Sequence, residues 1–408
     1  MVKKLRHATG CAATLAMITA VGLPQAFGLG FRNPDQDARA TGQGEAFVAQ
    51  ADDAAAIYYN PGGLTQIQGT EITSGGMVDF PESHLKGAGS GGQMNDMAFL
   101  PHLYISSDLR IFGVTNSPWR VGLGFNVPFG EAANYAKNGP FKYIVTSASL
   151  AVFNIEPAVA YKFNDHLSLG AGLNIYDATT DLRQHVPLPG APDGTFHFYG
   201  DGVSFGATAG LMWKITPQHT VGIVYRSPFT VQFDGKANLN TVLGSQGTSA
   251  HTSINFPQSV AGGYAFRPVK KLKLEVDIEW TNWEPLHSVV LHAPGASFDG
   301  TTIPFHWEDS FFYEFGAQYD IDDHWTVRAG YIYSENTVPN STFSPSVPDS
   351  NRNVFSVGLG YAVTKRYNVD IVYQHSYSPD RTVNNGTAVD GTWESHGDAV
   401  IFGSCVKF

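Results

Sequence analysis

The chain has 408 residues, with 25 Lys and Arg against 36 Asp and Glu, for a formal net charge of −11. Charged residues make up 15 % and aromatics 13 %, there are 44 glycines, and mean hydropathy is −0.13. Few charges and many aromatics exclude intrinsic disorder. The acidic balance argues against nucleic acid as a partner, and beyond the N-terminus no run stays apolar for the roughly 20 residues of a membrane-spanning helix.

Residues 1–28 read as a signal peptide. Lys3, Lys4 and Arg6 form its basic start, an apolar run covers 11–23, and Ala26-Phe27-Gly28 places small residues before a cut at Leu29, with a cut after Ala26 as the alternative. Removing three basic residues leaves 22 against 36 acidic ones, a mature charge of −14. Cys405 is then the sole cysteine, which excludes a small disulfide scaffold. Residues 29–69 do not alternate: Ala38 to Ala56 is rich in small residues and predicts short helices, and Asn60-Pro61-Gly62-Gly63 breaks them.

From residue 70 the pattern has a period of two, the signature of strands. In 272–280, Leu272, Leu274, Val276, Ile278 and Trp280 alternate with Lys273, Glu275, Asp277 and Glu279. The stretches 167–175, 203–214 and 353–363 alternate likewise, but their second face is mostly Gly, Ala, Ser or Asn, which suits a crowded, concave interior. Strands are predicted at 70–81, 96–107, 119–129, 146–163, 166–182, 202–215, 219–234, 251–266, 271–292, 307–320, 324–335, 351–363, 366–377 and 395–408. Short polar turns alternate with long loops near 130–142, 183–201, 235–250, 293–306, 336–350 and 378–394. Fourteen strands, aromatics near strand ends and alternating connections predict an all-β, antiparallel transmembrane β-barrel over 70–408, with both ends on the periplasmic side. The third strand, 119–129, is weak: Gly122 and Gly124 thin it and Pro128 cannot donate to a ladder.

No catalytic chemistry is expected. Gly202-Val203-Ser204-Phe205-Gly206 matches a hydrolase elbow, but that elbow needs a strand, a sharp turn and a helix, whereas here alternation runs on through Lys214. The 14 histidines show no metal-ligand spacing, and no phosphate-binding loop occurs, so no cofactor and no metal are expected.

Gly42-x-Gly44-Glu45-Ala46, Ala51-Asp52-Asp53-Ala54 and Asn60-Pro61-Gly62-Gly63-Leu64 follow one another in an order that resembles the outer-membrane long-chain fatty acid transporter family of the FadL/TodX type. That family carries Asn-Pro-Ala where this chain has Asn60-Pro61-Gly62. The resemblance continues in Asn126-Val127-Pro128-Phe129-Gly130, in Thr281-Asn282-Trp283 and in the run from Asp322 to Gly330. It implies that 29–69 folds inside the barrel as a partly helical hatch, with a kink at Gly122, Gly124 and Pro128 opening the wall sideways beside Asn60, Pro61 and Gly62. It also implies a ligand pocket near the mature N-terminus, for which Leu29, Phe31 and Phe47 are candidates. Arg183, Lys273 and Arg328 are candidates for holding a carboxylate head group, or for pairing with inward acids such as Glu275, Asp277 and Glu314. The function implied is passive uptake of long-chain fatty acids or similar hydrophobic compounds across the bacterial outer membrane. Glu308-Asp309, where a lysine is expected, leaves neutral aromatic or aliphatic hydrocarbons as an alternative, and a general aqueous porin is a more distant one. The implied surroundings are outer-membrane lipid and lipopolysaccharide for a monomer, with the terminal Phe408 read by the barrel-assembly machinery.

Overall fold

A computed structural model describes residues 30–408 apart from 96; the predicted signal peptide and Leu29 lie outside the described residues. Fourteen antiparallel strands form the wall. They are β1 (Thr70–Leu85), β2 (Gln93–Asn95 and Ala98–Ser107), β3 (Trp119–Asn134), β4 (Ser147–Lys162), β5 (Leu167–Val186), β6 (Gly194–Lys214) and β7 (His219–Arg226 and Phe229–Thr241). The circuit continues through β8 (Gly244–Phe256 and Gln258–Val269), β9 (Leu272–Asn282), β10 (Ser310–Asp320), β11 (Trp325–Ser334), β12 (Arg352–Thr364), β13 (Tyr367–Val383) and β14 (Gly391–Lys407). β14 pairs with β1 from Glu71↔Lys407 to Leu85↔Trp393, which closes the barrel and leaves no free edge at the seam.

The alternation read from sequence sorts the two faces. On β9, Leu274, Val276 and Ile278 are 39, 41 and 47 % exposed, whereas Glu275, Asp277 and Glu279 are 3, 0 and 3 % exposed. The exposed side is the lipid-facing one. Trp119, Tyr161, Trp213, Trp325 and Tyr361 mark its short-turn rim, with Trp119 and Tyr161 rings 4.7 Å apart and Trp325 and Tyr361 rings 4.5 Å apart.

Several strands run longer than their hydrophobic pattern. The predicted loop 235–250 is instead the paired upper halves of β7 and β8, joined by a tight turn after Thr241, and β5 and β6 stay paired as far as Val186↔Gly194. Both faces there meet water, so hydrophobic alternation fades while backbone pairing continues. In the other direction, 271–292 is not one strand: β9 ends at Asn282, and Ser288–Leu291 pairs with Thr301–Pro304 as a separate hairpin.

Residues 30–68 fill the lumen and are buried almost throughout. Their regular structure is slight: α1 (Ala38–Thr41), capped by the Asp37 carboxylate at 2.8 Å from Arg39 N, α2 (Ala56–Tyr59), and a 3₁₀ turn (Pro61–Gln66). Such short helices leave many backbone N–H groups without partners of their own. The inward acids of the wall supply them. Asp277 Oδ2 accepts from Phe47 N at 2.9 Å and Val48 N at 2.8 Å, Glu275 Oε1 from Ala49 N at 2.6 Å and Gln50 N at 3.2 Å, and Glu71 Oε1 from Ala54 N at 3.0 Å. Inward glycines let the segment approach the wall: a Cβ on Gly330 would lie 1.9 Å from Gly44 N, and one on Gly170 would lie 2.3 Å from the Pro61 carbonyl carbon.

Two tests follow from this attachment. Asp277→Ala leaves two buried N–H groups without acceptors, each costing about 1–3 kcal/mol. The expected result is faster amide exchange at 47–50 with barrel strands still protected, read by hydrogen-exchange mass spectrometry. Gly330→Val drives a side chain into the Gly44 backbone, and should release the α1 region to protease while the protein keeps the heat-modifiable gel mobility of a folded barrel.

Candidate functional site

The ladder between β2 and β3 is incomplete, as is that between β6 and β7 over residues 202–207. β3 pairs with β2 only from Val121↔Ser107 to Phe125↔Leu103, although both strands extend further. On its other side β3 stays paired with β4, with a shift of register between Asn126 and Phe129. The extra residue is a bulge, and it flanks Pro128, which has no N–H to donate.

The freed edge of β3 is taken by the start of the luminal segment. Asn33 N donates to Pro128 O at 2.9 Å and Gly130 N to Phe31 O at 2.7 Å, so residues 31–33 act as a short extra strand. Gln36 completes the contact with its side chain: Val127 N donates to its Oε1 at 3.0 Å, and its Nε2 donates to Val127 O at 3.1 Å. From the β2 side, Tyr104 OH donates to Gln36 O at 3.0 Å. Gln36 therefore spans the gap between the two strands.

Gly122 and Gly124 do not take part in this break. They lie in the regularly paired half of β3, where added Cβ atoms would come 2.7 and 2.9 Å from Ile57 side-chain atoms of the segment. The expectation that they kink the strand is corrected: they make room for Ile57, and the irregularity sits at Asn126–Phe129. Asn60, Pro61 and Gly62 also lie elsewhere than beside Pro128. They pack against Gly170 and Gly210 of β5 and β6, where Asn60 Nδ2 donates to Val48 O at 2.8 Å and Leu211 O at 3.0 Å, while its Oδ1 caps the 3₁₀ turn at Gly62 N. Asn60 is an anchor for the segment at the short-turn end.

Above the segment, at the long-loop end, lies an apolar cavity of about 170 Å³. Phe31, Leu150, Phe198, Ile254, Phe305 and Trp307 are among its lining residues, and the hairpin Ser288–Leu291 with Thr301–Pro304 contributes Val289, Leu291 and Ile303. Phe31 sits in an aromatic cluster with ring centroids 4.7 Å from Trp307, 6.0 Å from Trp283 and 6.2 Å from Phe305. Gly30 makes this possible: its φ is +64°, and any Cβ would meet Trp307 at 2.5 Å. Trp283, Trp307, Phe305 and the hairpin were not singled out in the sequence, although Trp283 belongs to the Thr281-Asn282-Trp283 signature. Phe47 is placed away from the cavity, in the alanine-rich core of the segment, with its ring 5.5 Å from Tyr59.

Among the described residues no Lys, Arg or His lines the cavity; its ionisable lining residues are Glu131 and Asp181. Of the three basic candidates, Arg183 is tied to the lining Asp181 and the other two are engaged elsewhere. Arg183 pairs with Asp181 at 3.0 Å and is half-exposed, Lys273 pairs with Asp52 of the segment at 2.6 Å, and Arg328 pairs with Asp370 at 2.5 Å. Glu275 and Asp277 are held by the segment's backbone, not by these bases. Asp309 accepts from Trp280 Nε1 and Asn282 Nδ2, both at 2.8 Å, so the departure at Glu308-Asp309 fastens the end of β9. A smaller cavity below the aromatic cluster is lined by Arg32 and Arg226, which Glu279 holds at 2.8 and 3.7 Å. Ser204 lies on straight β6 with its hydroxyl donated to Thr230 O at 2.7 Å, which leaves no hydrolase elbow there.

The chain is similar to the long-chain fatty acid transport protein of Escherichia coli O6:H1, 25 % identical over 96 % of this chain and 97 % of that protein. Among solved structures, a Pseudomonas aeruginosa FadL homologue superposes with a TM-score of 0.84 at 20 % identity, covering 93 % of this chain and 100 % of the other. The Pseudomonas putida toluene transporter TodX superposes with a TM-score of 0.74 at 18 % identity, covering 94 % and 100 %. The family model described as outer membrane protein transport protein (OMPP1/FadL/TodX) matches residues 19–408. The chain belongs to that family of outer-membrane transporters.

Proposed function

We propose that the protein carries hydrophobic compounds passively across the outer membrane, from the cavity under the long loops to a lateral exit between β2 and β3. The observation that carries this reading is that one stretch of chain serves both places. Phe31 lines the cavity, and its own carbonyl accepts from Gly130 on the open edge of β3. A ligand that displaces the Phe31 ring pulls on the residues covering the gap. Apolar burial supplies the driving force, at about 0.8 kcal/mol per CH₂. Release then needs the segment to move, because a closed apolar site holds its ligand.

The cavity favours ligands without an anionic end, since its ionisable lining groups are both acidic. Neutral aromatic or aliphatic hydrocarbons fit this better than fatty acid anions. Long-chain fatty acids remain the second reading. It is supported by relatives named long-chain fatty acid transport proteins and by Arg32 and Arg226 in the smaller, lower cavity.

Binding to purified protein separates the two: decane is expected to bind at least tenfold more tightly than decanoate, and the reverse order would restore the fatty acid reading. The exit is tested by a reversible tether. Cysteines at positions 33 and 127, whose residues touch across the gap at 3.1 Å, should arrest uptake when oxidised and restore it on reduction. Uptake that proceeds with the tether closed would reject the lateral path. Gln36→Ala removes the side-chain bonds to Val127 on the open edge of β3 and should speed release several-fold in the same uptake assay.

A further inference from the structure

Glu131 is the one lining carboxyl of the cavity that the protein leaves uncommitted. It sits on β3 just beyond the bulge, opposite Leu150 of β4 and one residue from Gly130, which bonds Phe31. Its side chain is 3 % exposed, the adjacent Ala132 N–H is the one backbone donor that bears on it, and neither carboxyl oxygen has a side-chain partner. Two other acids nearby are spoken for. Asp181 accepts from Arg183 and shares a 2.7 Å contact with His197, and Asp349 accepts from Thr337 N and Ser350 N at 2.9 Å. The charges that bear on Glu131 are Asp349 and Asp79, which repel an anion, and Arg352.

A buried carboxyl group without a partner is costly, and native proteins seldom keep one without a use. Within this apolar enclosure the missing partner must come from whatever fills it. We propose that Glu131 is the polar anchor of the ligand site. It accepts a hydrogen bond from a ligand that carries a donor, an amine or a hydroxyl, at one end of an apolar body. The aromatic cluster around Phe31 and Trp307 takes the apolar body, and the acidic lining turns away carboxylates. This rests on the cavity reading above and narrows its substrate class.

Four compounds of one shape test it: 4-phenylbutylamine, 4-phenylbutanol, butylbenzene and 4-phenylbutanoate, measured by equilibrium binding to the detergent-purified protein. The amine and the alcohol should bind about tenfold or more tightly than butylbenzene, the gain expected of a hydrogen bond to a charged or buried carboxyl, with the carboxylate weakest. Glu131→Leu should bring the amine and alcohol down to the level at which the same variant binds butylbenzene. Glu131→Gln, which keeps an acceptor of the same size, should retain the preference for the alcohol and guards against a folding defect in the leucine variant. A wild-type protein that binds butylbenzene as tightly as the amine and alcohol, or a preference that survives Glu131→Leu, overturns the proposal and leaves the cavity reading intact. If none of the four binds, the cavity reading fails and this proposal with it.

Discussion

The structure depends on the wall's carboxylates holding the backbone of a segment that cannot hold itself. Residues 30–68 have two single-turn helices and a 3₁₀ turn. Several of their N–H groups would be buried without acceptors in a sealed barrel. Glu71, Glu275 and Asp277 point inward from strands whose other faces meet lipid, and each binds backbone N–H groups of the segment. Acidic groups are thereby placed where water is absent, which is tolerable because each is hydrogen-bonded. Lys273 and Arg39 share Asp52, and Arg39 also holds Asp53, so the same lumen carries ion pairs that fix the segment's middle.

With the middle fixed, the start of the segment is left to meet the seam that β2 and β3 leave incomplete. Pro128 and the bulge around it deny β2 a continuous partner, and Asn33 and Gln36 supply the missing bonds. A side-chain amide in place of a strand is a weaker closure than a ladder, because it can rotate away without unfolding anything. The tight, glycine-mediated contacts at Gly170 and Gly330 lie on other strands, so the segment is firmly seated there and lightly held at the seam.

Much of this was legible in the chain. Strand number, the two faces of each strand and the inward direction of Glu275, Asp277 and Glu279 follow from a period of two, because a barrel has one face in lipid and one in the lumen. Strand ends above the membrane were not legible: in 235–250 both faces are wetted, so the pattern disappears while pairing persists. The roles of Gly122 and Gly124 were misread for a related reason. A glycine in a strand weakens it in isolation, but here it faces Ile57, and only the packed structure shows that the space is filled. Phe47 and Phe31 look alike as apolar residues of the segment. The fold puts one among alanines and the other under a cavity.

By itself the sequence determined the architecture: an acidic, weakly charged, aromatic-rich chain whose alternation admits a membrane barrel, with a non-alternating segment left over to sit inside it. That much is local, since periodicity is written residue by residue. Tertiary structure decided what the inward groups do. Whether an acid binds the segment's backbone, pairs with a base or stands unpartnered at a cavity depends on what lies across the lumen. Asp277 lies 230 positions along the chain from the Phe47 N–H it binds, and Glu131 is distinguished from it only by having no such neighbour. Burial is a property of the closed barrel, and no window of sequence contains it.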